Sequence, residues 1–170
     1  MDASAQASRS PDPRDPGAAH QDPARPGRAT APGGGSYRIA GRGSDLGIDV
    51  SGPTAEACLK AAVAGFAAAL AEVEPTVERT RRPVSVVGDA HTDLLVGLVD
   101  EAILRLDADG ELAVGLTDVD ISGDGLHAVL EVVDLAAARV HGAAPKAATW
   151  HDARLEPAGD HWDGHVMLDL

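Results

Sequence analysis

The sequence predicts an α+β fold, a mostly antiparallel β-sheet with two main helices packed on one face. Two segments, 59–73 and 94–106, repeat apolar residues at intervals of three and four, which is the spacing of an amphipathic helix. After residue 110 the chain alternates apolar and polar residues, and short Gly/Asp turns separate some of these runs. Such short turns demand antiparallel pairing. A chain of 170 residues, of which 44% are hydrophobic, suits one domain with one core.

The individual elements follow in order along the chain. Pro53 and Thr54 open the first helix, whose apolar stripe ends before Pro75, and an Asp109-Gly110 turn ends the second helix. The predicted strands share an alternating pattern or a short apolar run bounded by turn residues. They cover 37–40, 46–50, 84–87, 111–121, 126–135, 146–156 and 162–169.

Residues 1–36 are predicted to be a disordered tail, and residues 37–170 the folded domain. The tail contains six of the eleven prolines and ends in the linker sequence Gly-Gly-Gly-Ser. So few apolar side chains cannot offset the entropy that is lost when the segment becomes ordered. A docking role for the mixture of arginine and proline in this tail is the alternative.

The charge of the domain argues against nucleic acid as a direct partner. The chain has 14 basic and 27 acidic side chains, a formal net charge of −13, and the tail is neutral with four Arg and four Asp. Proteins that bind nucleic acids need Lys and Arg to displace counterions from phosphates. We therefore expect no strong direct binding to RNA or DNA, and expect the acidic domain to meet a basic protein or a cation.

Cysteine content and hydropathy predict a cytoplasmic protein without a membrane span. Cys58 is the only cysteine, which excludes an intramolecular disulfide and a Cys-rich zinc site. No run of 18 or more apolar residues is present, and the N-terminal residues lack the apolar stretch of a secretory signal.

Several apparent motifs lack a required part. In the glycine-rich segment 41–47 the third glycine is one position late for a phosphate loop, and a strand follows instead of a helix. The loop that starts at Asp118 has Val129 where a calcium-binding EF-hand needs a glutamate. His161 and His165 lie four apart on a predicted strand and are expected to be surface residues. The sequence thus contains no complete catalytic constellation.

Two aspartates at strand ends are candidates for a metal site. Asp45 lies where the chain enters a strand, and Asp169 is the penultimate residue of an apolar strand. If that strand brings Asp169 beside Asp45, the clustered carboxylates repel one another unless they are protonated or bridged by a cation. Oxygen-only ligation selects calcium or magnesium. The alternative is that Asp45 caps a turn and Asp169 is solvated.

These residues belong to a set of segments that resembles the archease family over residues 37–170. The matching segments are 42–47 with 52–57 at the opening of the first helix, Asp89/Asp93-Leu94-Leu95 with Asp100-Glu101, Pro145-Lys146-Ala147-Ala148-Thr149-Trp150-His151-Asp152, Asp160-His161-Trp162, and Asp169-Leu170. The run from Pro145 is the most specific, because it is similar to the family's Val-Lys-Ala-x-Thr-Tyr-His signature.

The resemblance implies a function in tRNA splicing or RNA repair. Archeases are cofactor proteins of the RtcB-type RNA ligase, which seals RNA ends bearing a 3′-phosphate or a cyclic phosphate. They speed formation of the ligase–GMP intermediate and support multiple turnover, and they are not themselves ligases. The family's calcium-type site maps by position onto Asp45, Asp169 and Leu170, the last through a backbone or terminal carboxylate oxygen. Calcium is the expected cofactor, with magnesium as the alternative.

Five further residues carry expectations of their own. Lys146 and His151 are expected to contact the ligase or its nucleotide, and otherwise Lys146 is an ordinary surface cation. Trp150 is expected in the core. Arg42 and Gly43 replace the family's His and Thr, and an Arg42 guanidinium beside the site would oppose a cation.

Two other functions compatible with the sequence belong to different classes. One is a small metal-dependent phosphoester hydrolase, for which His151 is the candidate general base. The other is a divergent interaction module that has lost its metal because of Arg42.

Overall fold

The computed structural model describes residues 28–42, 44–123 and 125–170. Within these residues the two α-helices are α1 (Ala55–Leu70) and α2 (His91–Asp109). The ten strands of the same residues are β1 (Ala29–Thr30), β2 (Ser36–Arg42), β3 (Asp45–Gly52), β4 (Ala71–Glu72), β5 (Thr80–Val87), β6 (Glu111–Ser122), β7 (Gly125–Asp134), β8 (Arg139–Val140), β9 (Ala147–Ala158) and β10 (His161–Asp169).

The strands form three antiparallel sheets. The largest has the order β1-β2-β3-β10-β9, the second has the order β5-β7-β6, and β4 pairs with β8. Three tight connections (β2–β3, β6–β7 and β9–β10) join neighbouring strands as hairpins, as short loops between antiparallel strands allow. The last long strand, β10, therefore lies between β3 and β9 in the middle of the large sheet.

One hydrophobic core is shared by both helices and both larger sheets. Helix α1 packs against β2, β3 and β6, and α2 packs against β9, β5 and β6. The face of α1 that is buried is rich in alanine, so the helix approaches the sheet closely. A side chain at Gly65 could not be accommodated, because a Cβ there would lie 2.8 Å from Ile48 of β3. Phe66 and Leu59 are the largest fully buried residues of this helix.

The predicted fold class is confirmed, and so are the predicted helices and main strands within a few residues of their ends. The first helix ends at Leu70, before the predicted boundary, because Ala71 and Glu72 leave the helical conformation and pair with β8. The pattern did not predict the two-residue strands β1, β4 and β8. A strand of two residues is too short to show an alternation.

The predicted disorder of residues 1–36 is wrong for the last nine of them. Strand β1 pairs with β2, and residues Pro32–Gly34 form a turn of 3-10 helix that lies against α1. Residues 1–27 lie outside the described part of the chain.

Trp150 is not a core residue, contrary to the expectation from alternation. Its side chain is 61% exposed, whereas Ala148 two positions earlier is buried. The reason is a bulge in β9. Between the register pairs Thr149–Met167 and Arg154–His165, β9 advances five residues while β10 advances two. The residues in between leave the regular pleat, so the alternation no longer indicates their facing.

In the described residues, neither helix is long and apolar enough to cross a membrane.

Candidate metal centre

Strands β3 and β10 bring Asp45 and Asp169 together. The two aspartates are direct register partners in the antiparallel ladder, so their side chains leave the sheet on the same face. Directly opposed residues have Cβ atoms about 5 Å apart. The neighbouring pair, Leu46 and Leu168, points to the other face, and Leu168 is fully buried in the core. Burial of this apolar pair thus determines that both carboxylates face outward.

Main-chain hydrogen bonds hold the segment that follows β10 against this site. The Leu170 amide donates to the Ser44 carbonyl at 3.0 Å, one residue before Asp45. The Lys146 amide donates to the Asp169 carbonyl at 2.7 Å. The Ser44 hydroxyl also lies 3.3 Å from one Asp45 carboxylate oxygen, to which it donates. These bonds position the Leu170 backbone beside the two carboxylates.

Lys146 contributes a positive charge to the same place. Its Nζ donates to the Leu170 oxygen at 2.7 Å. The structure therefore brings four of the five predicted site residues together: Asp45, Asp169, Leu170 and Lys146. The lysine contacts the oxygen that the resemblance assigns to the metal.

The donor atoms at this place fit a hard divalent cation. Two carboxylates and the Leu170 oxygen are all oxygen donors, which is the chemistry that calcium and magnesium select. Across residues 28–42, 44–123 and 125–170, no three His, Cys, Asp or Glu side chains gather as a metal-binding group. A cation here would accordingly need main-chain oxygen atoms and water as its remaining ligands, and it would compete with Lys146 for the Leu170 oxygen.

Arg42, the residue expected to oppose a cation, is the register partner of Asp45 on the other side of β3. Its backbone thus lies next to the candidate site.

His151 does not join this group. It lies in the bulge of β9, where its Nε2 pairs with an Asp152 carboxylate oxygen at 3.3 Å. Its side chain is 79% exposed. Among the described residues it has no hydrogen bond to Asp45, Asp169 or Leu170.

A second polar group on the same sheet face was not predicted. Asp49 lies between Arg38 of β2 and His165 of β10, its register partners. The His165 Nδ1–H donates to Asp49 at 2.7 Å, and Arg38 donates through Nε at 3.1 Å and through a second guanidinium nitrogen. His165 is thus largely covered, and the expectation that it is a surface histidine is wrong: its side chain is 15% exposed. Asp49 and His165 are 116 positions apart, so only the strand register reveals the pair.

The pKa of Asp49 reflects this environment. Burial by itself raises the pKa, but the hydrogen bonds from His165 and Arg38, together with their positive charges, outweigh burial. The net pKa of Asp49 lies below its ordinary value of 3.8. The carboxylate is ionised at neutral pH and accepts the hydrogen bond from His165 Nδ1, which fixes the orientation of the ring.

An open depression of about 340 Å³ connects the two groups. Asp45 and His165 line it, and the rest of its lining is apolar. The other lining residues are Ala40, Gly41, Gly47 and Met167. Gly47 leaves room for the imidazole, because a Cβ at this position would lie 3.0 Å from His165 Cε1. The depression therefore places an imidazole and a carboxylate on the rim of one shallow apolar surface.

The fold and this site together define a class of protein: a small α+β domain in which β3 and the last strand, β10, pair two aspartates on an outward face. Within that class, the chain belongs to the archease family. The model of the Archease protein family (MTH1598/TM1083) matches residues 37–170. The family resemblance inferred from the sequence is confirmed.

Curated relatives agree with this assignment. The chain is 30% identical over 134 residues to "Probable protein archease" from two strains of Mycobacterium tuberculosis, CDC 1551 / Oshkosh and H37Rv. The match covers 79% of this chain and 74% of each relative.

Two solved structures share the fold. One is the solution structure of Methanobacterium thermoautotrophicum protein 1598, with a TM-score of 0.61 and 20% identity over 79% of this chain and 98% of that one. The other is the crystal structure of a Thermotoga maritima protein (TM1083) described as "an archease, possible chaperone", with a TM-score of 0.55 and 17% identity over 78% of this chain and 96% of that one.

Proposed function

We propose that this protein is a non-catalytic, metal-binding activator of an RtcB-type RNA ligase that acts in tRNA splicing or RNA repair. It promotes guanylylation of the ligase and its multiple turnover. Asp45, Asp169 and Leu170 hold a divalent cation, with calcium as the expected ion. Lys146 and His151 contact the ligase or its nucleotide.

The in-register pairing of Asp45 with Asp169 is the observation that carries this proposal. Two opposed aspartates, whose Cβ atoms are about 5 Å apart, repel each other when both carboxylates are charged, and a bridging cation relieves that repulsion. Membership of the archease family supports the ligase as the partner. The net charge of −13 supports a protein partner over direct contact with RNA.

A reconstituted ligase assay tests the proposal. Purified RtcB-type ligase is incubated with GTP and RNA carrying a 3′-phosphate, with and without this protein, in calcium or in a chelator. We expect faster guanylylation and more than one RNA joined per ligase only when both protein and calcium are present. Unchanged guanylylation and joining on addition of the protein would refute the function.

The variant Asp45→Ala tests whether the ligase stimulation depends on the metal site. We expect at least a tenfold loss of calcium affinity in calorimetry and loss of ligase stimulation, with a melting temperature within a few degrees of the unaltered protein, because relief of carboxylate repulsion offsets lost contacts. Asp120→Ala is the matched control, since Asp120 is an exposed aspartate on β6 in the other sheet. Equal calcium affinity in the two variants would show that Asp45 is not a ligand.

One observation favours a second candidate function, a metal-dependent phosphoester hydrolase. His165, rather than His151, has the arrangement of a general base, because Asp49 orients its Nδ1 while the ring lies at the rim of the depression beside Asp45. A bound cation would supply Lewis-acid activation of a phosphate. Turnover of a panel of phosphoesters without any ligase, lost in His165→Gln, supports this function, and absence of turnover refutes it.

A further inference from the structure

The bulge of β9 is an irregularity that the packing of the core does not explain. Residues 150–153 interrupt the ladder between β9 and β10. Asp152 within it has a positive φ of 56°, an uncommon conformation for a residue other than glycine. Bulges re-aim side chains and are frequent beside functional sites. This one begins directly after Thr149, two residues beyond Ala147, the register partner of Asp169.

The bulge presents an indole to solvent. Trp150 is 61% exposed, whereas the other tryptophan, Trp162, is partly buried and packs against His91, with ring centroids 4.7 Å apart and the rings tilted by 58°. Aromatic residues are 2% of the sequence, so most apolar burial is achieved without them. A large apolar side chain held out of the core contributes nothing to that core, but tryptophan is the residue type most enriched at the energetic centres of protein interfaces.

The surroundings of the bulge are acidic. Asp152 lies within it and is 68% exposed. At the start of β9, a groove of about 380 Å³ runs between α2 and residues 144–146, with Asp100 and Asp107 along it and Leu104 exposed in it. Asp100 is tied to β9, since it accepts a hydrogen bond from the Ala148 amide at 2.8 Å.

Two basic side chains lie in the same region. Lys146 donates to the Leu170 oxygen, and Arg154 donates to the Asp152 carbonyl at 3.4 Å. These hydrogen bonds hold the two cations without removing their charge, but the three carboxylates outnumber them. The remaining negative charge is complementary to lysine and arginine on a partner.

We propose that Trp150 is the anchor by which this protein docks on its ligase, inserting into an apolar pocket whose rim carries lysine or arginine. This inference rests on the proposed function and adds the contact surface to it. Strand β9, which begins beside the candidate metal centre, thus carries the docking residue, and this would place the cation beside the partner. His151 and Asp152 flank the anchor and exclude water around it.

A binding measurement with four proteins tests the anchor. The ligase is immobilised, and the unaltered protein, Trp150→Ala, Trp150→Phe and Val87→Ala are titrated over it by biolayer interferometry. Val87 is the control, because it is an 81% exposed apolar residue on β5 in the other sheet. Calcium affinity and melting temperature are measured for each protein.

We expect Trp150→Ala to weaken ligase binding by about 30-fold or more, the size of effect that defines an interface hot spot. Trp150→Phe keeps an aromatic anchor and should stay within about fivefold of the unaltered protein. Val87→Ala should bind normally. Calcium affinity and melting temperature should be unchanged in all variants, because an exposed side chain supports neither.

Two results overturn the inference, and they differ. If Trp150→Ala binds the ligase as tightly as the unaltered protein does, the anchor is wrong while the proposed function stands. If the unaltered protein neither binds the ligase nor stimulates it, the proposed function fails and the docking surface fails with it.

Discussion

At the scale of single residues, the candidate centre balances two carboxylates against one ammonium group. Asp45 and Asp169 are register partners, and the Lys146 Nζ lies 2.7 Å from the Leu170 oxygen beside them. The lysine can reduce the carboxylate repulsion when no cation is bound, and it repels a cation that binds. Removal of the Lys146 charge should therefore change the affinity for the metal.

Lys146→Met should bind calcium about tenfold more tightly than the unaltered protein. The substitution keeps the length of the side chain and removes a like charge. A unit charge repels a divalent ion by about 2 kcal/mol at about 4 Å in water, and salt screens part of that repulsion. Calcium titration by calorimetry at low ionic strength measures the change. Lys60→Met is the matched control, because Lys60 is the other lysine of the chain and pairs with Glu56 on α1. Weaker calcium binding by Lys146→Met would mean that the lysine supports the metal instead of opposing it.

The interactions of Asp49 make the stability of the protein depend on pH in the acidic range. Its pKa lies below the ordinary 3.8, so its interactions with Arg38 and His165 stabilise the fold above about pH 4 and are lost as the pH falls through the lowered pKa. Arg38→Met should lower the free energy of unfolding by about 1–2 kcal/mol at pH 7, and by clearly less below pH 3.

Urea denaturation at pH 7 and below pH 3 measures the free energy of unfolding of Arg38→Met and of the unaltered protein. Arg81→Met is the control, since Arg81 pairs with Asp118 in a largely exposed ion pair, and such pairs contribute little. A loss of stability for Arg38→Met that is equal at the two pH values would show that the substitution acts through packing and not through the charge of Asp49.

At the scale of elements, α1 begins where a side chain satisfies its first turn. Thr54 precedes the helix, and its Oγ1 accepts a hydrogen bond from the Ala57 amide at 3.1 Å. Amides of the first turn have no acceptor within the helix, so the threonine oxygen supplies an acceptor that one of them would otherwise lack. The sequence placed the helix start at this threonine, and the structure confirms it.

Thr54→Ala should lower the free energy of unfolding by about 1 kcal/mol. Thr54→Ser keeps the hydroxyl and should lose less than half of that amount. Equilibrium denaturation in urea, with the slope compared among the three proteins, measures both. Equal losses for alanine and serine would point to the methyl group of the threonine and away from its hydrogen bond.

At this scale the prediction from sequence was accurate for long elements and failed where a strand is irregular. The positions of α1, α2 and the main strands follow from repeated apolar residues, which burial in a core requires. Trp150 shows the limit. An alternating pattern assigns it to the core, but the three extra residues of the bulge change the facing of everything between 149 and 154.

At the scale of the whole molecule, net charge is the property that bears on the choice of partner. All of the formal excess of −13 belongs to residues 37–170, since the tail has four arginines and four aspartates. A field of this sign attracts basic surfaces over about a Debye length and is screened by salt. The inferred docking surface around Trp150 also carries a net negative charge.

Binding to the ligase should therefore weaken as salt increases. Between 50 and 500 mM KCl we expect the association rate to fall at least tenfold, with a smaller change in the dissociation rate. Biolayer interferometry at several salt concentrations separates the two rates. An association rate that does not change with salt would indicate that the acidic surface does not guide the encounter.

The sequence by itself determined the fold class, the order of the elements, the acidic character and the family. These properties depend on periodicity, composition and local motifs, all of which act over short stretches of chain. It also nominated Asp45 and Asp169, through the resemblance and through their places at strand ends.

Only the tertiary structure decided which distant residues meet. Asp45 faces Asp169, and Asp49 faces His165, because β10 inserts between β3 and β9 in one particular register. A shift of one residue would turn every side chain of a strand to the opposite face, and burial of Leu168 in the core excludes that shift. The site is thus a consequence of packing between strands more than a hundred residues apart.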